Sequence, residues 1–121
     1  MNQEMCSEIE ELTAHQVAGL LRDRRIILVD VRESDEYATH RIPGALLYPL
    51  STFDASMLPP DGDRQVVFHC GSGKRSASAA RARIAAGAGR AAHLEGGIAA
   101  WAAAGLAVIR LDSSTGKPVT R

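Results

Sequence analysis

Cysteine is scarce in this chain. Cys6 and Cys70 are its only two among 121 residues, and no C-x-x-C occurs. That excludes a disulfide framework and points to reduced thiols. Aromatic residues make up 4% and the formal net charge is +0. With no basic stripe interleaved with aromatics, the chain does not read as a nucleic-acid binder. No apolar run approaches the ~18 residues of a membrane span. The N-terminal "MNQEMCSEIEEL" has neither the basic nor the apolar region of a secretory signal. The expected location is cytoplasmic. His15, His40, His69 and His93 show no metal-ligand spacing with either cysteine, so no metal site is expected. No internal repeat is present.

What remains is ordinary for a globular protein: 45% apolar and 23% charged residues. The length suits one domain, residues 1–121, with its core over about 7–110 and a polar tail at 112–121. The neutral total hides a split. Residues 1–63 hold twelve acidic and five basic residues, whereas 64–121 hold two acidic and nine basic ones. The halves could pair across the folded surface, or the half with Cys70 could favour anions.

The pattern alternates strands with helices. "IEEL" (9–12) suits a short strand, and Thr13 suits an N-cap for "AHQVAGLLRDR". "IILVD" (26–30) and "QVVFHC" (65–70) are continuous apolar runs, as in strands buried on both faces. "ESDEYATH" suits a short helix with acids in its first turn. A short strand is expected at 46–48, and one or two helical turns in "STFDASML". "KRSASAARARIAA" is a strong helix candidate stopped by Gly87 and Gly89. "AAHL" (91–94) suits a third strand and "GGIAAWAAAG" a last helix, while the tail from Asp112 is expected to fray. The implied fold class is α/β, a central mostly parallel sheet with helices on both faces. Ligands in such sheets sit beyond the carboxyl ends of the strands.

Cys70 lies at such an end, in "VVFHCGSGKRSASAA". A free thiol ionises near a pKa of about 8.5, and only the thiolate is a strong nucleophile. Three features should favour the thiolate. They are the start of the following helix, the cations Lys74 and Arg75, and a nest of backbone N–H groups allowed by φ > 0 at Gly71 and Gly73. An inert buried cysteine is the plain alternative. "GSGKRS" lacks the spacing of a nucleotide-binding P-loop. A Cys–His dyad with His69 is disfavoured, because neighbours on a strand point to opposite faces. His69 is expected to fill a half-buried position. Cys6 reads as incidental.

"CGSGKRS" resembles the active-site loop of the rhodanese-like sulfurtransferases. "LVDVRESDEYATHRIPGALLYPL" and "HLEGGIAAWAAAGLAV" resemble two further signatures of that family, so the likeness spans roughly residues 7–110. It is closest to bacterial rhodanese domains sometimes fused to an inner-membrane segment. It departs at "THRIPGA", where His40 and Arg41 stand in place of the family's usual Gly-His. The resemblance implies that Cys70 is the sulfur-carrying nucleophile and that Gly71, Ser72, Gly73, Lys74, Arg75 and Ser76 bind substrate. Asp30, Arg32, Glu36, Gly44, Gly96, Gly97 and Trp101 would be architectural. It implies a small-molecule sulfur donor such as thiosulfate or a persulfide, and a thiol or cyanide acceptor. It implies no cofactor beyond a covalent cysteine persulfide. Two alternatives remain open: a phosphatase or arsenate reductase of the same fold, and a non-catalytic sulfur-carrier or protein-binding module.

Overall fold

The structure is a computed structural model and describes residues 8–121. Cys6 lies outside these residues. A five-stranded sheet forms the centre. Its strands are β1 (Glu8–Leu12), β2 (Ile26–Asp30), β4 (Leu46–Leu47), β5 (Gln65–His69) and β6 (Arg90–Leu94), in the order β1-β6-β5-β2-β4. Every pairing in it is parallel. The helices α1 (Ala14–Arg22), α2 (Ser34–Thr39), α3 (Lys74–Ala85) and α4 (Gly97–Ala103) connect the strands. The expected α/β class with a parallel central sheet is what the chain adopts.

The two-residue period of the strands divides the core. Ile26 and Leu28 of β2 and Val67 of β5 pack with Val17 of α1 and Ile98 and Trp101 of α4. Val29, Val31, Val66, Phe68 and Cys70 point to the other face, against Ala79 and Ala80 of α3. Small alanines at those positions let α3 lie close to the sheet. Thr13 caps α1 as expected. Its hydroxyl accepts from the Gln16 N–H at 3.2 Å, and the Gln16 side chain accepts from the Thr13 N–H at 2.9 Å. "STFDASML" forms two short 3-10 turns, Leu50–Thr52 and Ala55–Met57.

A second, antiparallel sheet joins β3 (His40–Arg41), β7 (Ile109–Leu111) and β8 (Pro118–Thr120). It corrects the expectation of a frayed tail. Asp112 accepts from the Ser114 N–H and hydroxyl, and the Gly116 N–H closes on the Asp112 carbonyl at 2.7 Å. Gly116 takes φ +72°, which a side chain would resist. The turn therefore returns the chain, and Arg121 pairs its backbone with Val108.

A buried ion pair ties the two sheets together. Asp30 and Arg32 are 0% and 1% exposed. The Arg32 guanidinium donates to both Asp30 oxygens at 2.8–3.1 Å and to the His40 carbonyl at 2.7 Å. So His40, one of the two departures from the family pattern, contributes its backbone here. Arg41 instead lies over the Tyr37 ring, 5.2 Å from its centroid. Asp30→Asn leaves a buried guanidinium without its counter-charge. It should cost about 3–5 kcal/mol, measured by urea unfolding.

Candidate active site

The loop between β5 and α3 curls around a sulfur atom. The Cys70 Sγ accepts from the Gly73 N–H at 3.1 Å and from the Ser76 N–H at 3.3 Å, and the Ser76 hydroxyl lies 3.6 Å away. Burial alone would push the Cys70 thiol up. The Ser76 hydroxyl and the N–H groups of Ser76, Gly73 and Ser72 outweigh it, and the thiol sits below its ordinary value. Gly73 caps α3 with φ +108°. Gly71 does not adopt positive φ, which corrects one expectation. A Cβ there would lie 3.3 Å from the Arg75 guanidinium, so Gly71 instead leaves room for that side chain.

The turn before α4 presses on the same loop. Ile98 N–H donates to the Cys70 carbonyl at 2.9 Å, and Ala99 N–H to the Gly71 carbonyl at 3.2 Å. Gly97 makes this possible. At φ +61°, a Cβ on it would collide with the Cys70 carbonyl oxygen and approach Gly71 to 2.6 Å. Gly96 and Gly97 therefore hold the cysteine loop from behind, beyond the architectural part assigned from the sequence.

The two cations of the loop differ in their surroundings. Lys74 is exposed at the start of α3. Arg75 donates to both carboxylate oxygens of Glu36 of α2, at 2.8 and 3.1 Å. Its charge is therefore shared with an anion, whereas the sequence suggested a second free cation. The Arg75 bond and other effects hold the Glu36 carboxyl at about 2, against burial. Glu36 also accepts from the Glu33 N–H at 2.9 Å.

His69 is fully buried rather than half-buried. Its Nδ1 faces the Cys70 carbonyl at 3.2 Å and its Nε2 lies 3.4 Å from Asp30. The ring turns away from the sulfur, as strand alternation requires, and burial pushes it below the usual imidazole range despite Asp30. A different histidine reaches the site. His93 of β6 places Nδ1 2.8 Å from the Ser76 hydroxyl. Sequence reasoning missed this contact, since it needs the pairing of β6 beside β5. Among the described residues, no cluster of His, Cys, Asp and Glu could hold a metal ion. No helix among them is long and apolar enough to cross a membrane.

A parallel α/β sheet with a hydrogen-bonded cysteine loop at a strand's carboxyl end defines a class of cysteine-centred α/β domains. Within it, the Rhodanese-like domain model matches residues 13–104, and the chain belongs to that family. A sulfurtransferase of Allochromatium vinosum is 36% identical over 84% of this chain and 95% of its own length. An uncharacterised protein of Synechocystis is 40% identical over 74% of this chain, which spans half of that protein. The structure of a rhodanese-related protein from Thermoplasma volcanium superposes with TM-score 0.71. It is 25% identical and covers 82% of this chain and 96% of that one.

Two outcomes test the geometry. Gly97→Ala should displace the loop, lower stability by about 1 kcal/mol or more and raise the Cys70 ionisation midpoint, read by thiolate absorption. Glu36 is bound in its ionised form. The stability it adds is full above pH 4.5 and is lost as pH falls through about 2. Both side chains of the pair are more than a third exposed, so Glu36→Gln should cost less than about 1 kcal/mol at neutral pH. The difference from wild type in urea unfolding should vanish near pH 2.

Proposed function

We propose that the protein is a sulfurtransferase that carries sulfur on Cys70. The observation that carries this reading is the ring of donors aimed at the Cys70 Sγ. The name of the Allochromatium relative supports it.

The Cys70 thiolate attacks the outer sulfur of thiosulfate. The sulfur–sulfur bond of the donor breaks, its electron pair leaves with sulfite, and a Cys70 persulfide remains. Cyanide or a thiolate then attacks the terminal sulfur. Thiocyanate or a new persulfide departs, and the Cys70 thiolate returns. Two half-reactions through one covalent intermediate require ping-pong kinetics. Sulfite is a stable anion and leaves without a proton, so no general acid is needed. The N–H groups of Gly73 and Ser76 suit an anionic sulfur, and exposed Lys74 favours the approach of a dianionic donor. A persulfidated thiol can serve as donor by the same path. No cofactor takes part in either half-reaction.

A phosphatase or arsenate reductase would carry a free arginine six positions after the cysteine. Ser76 holds that place here, and Arg75 one position earlier is bound to Glu36. A module that only docks a partner would not need the polarised thiol.

Incubation with thiosulfate should raise the intact mass by one sulfur atom in wild type and not in Cys70→Ser. No gain in wild type with thiosulfate or with glutathione persulfide would overturn the proposal.

A further inference from the structure

The sulfur of Cys70 stands at one end of a chain of polar groups. Next comes the Ser76 hydroxyl at 3.6 Å, then His93 Nδ1 at 2.8 Å from that hydroxyl. On the far side of the ring, Nε2 lies 3.4 Å from a Glu11 carboxylate oxygen. Ser76 and His93 are 0% and 3% exposed, whereas the Glu11 side chain is 59% exposed. The register of the sheet sets Glu11 of β1 directly beside His93 of β6. The line thus runs from the buried sulfur to the solvent-facing edge of the sheet.

A serine hydroxyl has one proton to give. Three groups compete for it: His93 Nδ1 at 2.8 Å, the Gly73 carbonyl at 3.2 Å and Cys70 Sγ at 3.6 Å. While Nδ1 is a bare lone pair, it takes the proton by proximity, and the Cys70 thiol donates to the Ser76 oxygen. Once Nδ1 carries a proton, it donates to that oxygen instead. The hydroxyl proton is then free for the sulfur, where it stabilises a thiolate. The two arrangements differ by a concerted shift. The Cys70 S–H bond breaks and its proton goes to the Ser76 oxygen, while the serine's own proton goes to His93 Nδ1. The products are a thiolate and an imidazolium, with Glu11 beside Nε2.

We propose that Ser76 and His93 form a proton relay that draws the proton from Cys70, with the Glu11 carboxylate standing at the outer nitrogen of the ring. His93 is a positioning residue that acts through Ser76. The relay rests on the reading of Cys70 as the reacting thiol, but it operates before any sulfur donor binds. The other titratable groups around the site are His69 of β5, which faces the Cys70 carbonyl, and Arg75 of α3, which is paired with Glu36. Lys74 is exposed at the start of the same helix. Among the described residues, no hydrogen bond or ion pair joins any of these to the Ser76 hydroxyl or the His93 ring.

The test reads thiolate directly, by ultraviolet absorption across a pH series, as the difference from Cys70→Ser. His93→Asn keeps a polar side chain beside Ser76 but cannot accept the relayed proton. Its thiolate midpoint should rise by about one pH unit, a roughly tenfold loss of thiolate at a fixed pH below it. Ser76→Ala should raise the midpoint too, and the double variant should add little beyond the larger single effect. Donor turnover in His93→Asn should fall at low pH and recover toward wild type at high pH, which a merely structural defect would not do. An unchanged midpoint in a folded His93→Asn protein overturns the relay, and so does simple additivity in the double variant. If His93→Asn does not fold, Glu11→Gln on the exposed edge decides. A raised midpoint sustains the relay, and an unchanged one overturns it. Thiolate absorption needs no donor, so a chain that fails to transfer sulfur can still show whether the relay ionises Cys70.

Discussion

The site depends on two backbone hydrogen bonds that lie outside it. Ile98 and Ala99 at the start of α4 take the carbonyls of Cys70 and Gly71. A trans peptide is planar, with its C=O and N–H on opposite sides. When the Gly71 carbonyl is drawn toward α4, the Ser72 N–H must face the other way. That N–H is one of the groups that stabilise the ionised sulfur. The polarity of the loop is thus set from behind, by a turn that can come close only because residue 97 has no side chain. Gly73 then adds its own N–H before the helix begins.

The parts legible in the sequence were those encoded by neighbours. β2 and β5 announce themselves as unbroken runs of branched and aliphatic residues. α3 follows from its small and charged residues between glycines, and the capping box of α1 lies within four consecutive positions. The Cys70 loop was legible for the same reason, because its donors sit within six residues of the sulfur. Gly71 was misread because glycine permits positive φ without requiring it. The contacts that were not legible join distant segments. Glu36 and Arg75 are 39 positions apart and Ser76 and His93 are 17 apart. Only the strand order brings them together. The hairpin of β7 and β8 was a different kind of miss. Its turn residues Asp112, Ser114 and Gly116 were visible, but the polar composition of the tail outweighed them.

Charge is organised by depth. Asp30 and Arg32 are sealed in the interior, where each would be costly without the other, and their geometry fixes the β3 backbone through His40. Arg75 and Glu36 form a half-exposed pair that links α2 to the cysteine loop. This pairing also answers the charge asymmetry along the chain. An acidic residue of the first half meets a basic residue of the second, and Arg83 of α3 likewise meets Asp61.

The strand order has a consequence for how the molecule comes into being. β1 precedes the other strands of this sheet among the described residues, yet its partner is β6, with Glu8 beside Arg90 and Leu12 beside Leu94. During synthesis it must wait, unpaired on either side, until nearly the whole sheet has left the ribosome. Closing so long a span is entropically slow. The turn into α4 that braces Cys70 follows directly after β6, so the thiol acquires its surroundings only in the closing moments of folding. A nascent or half-assembled chain would hold the cysteine as an ordinary thiol, ionising near the free value of about 8.5.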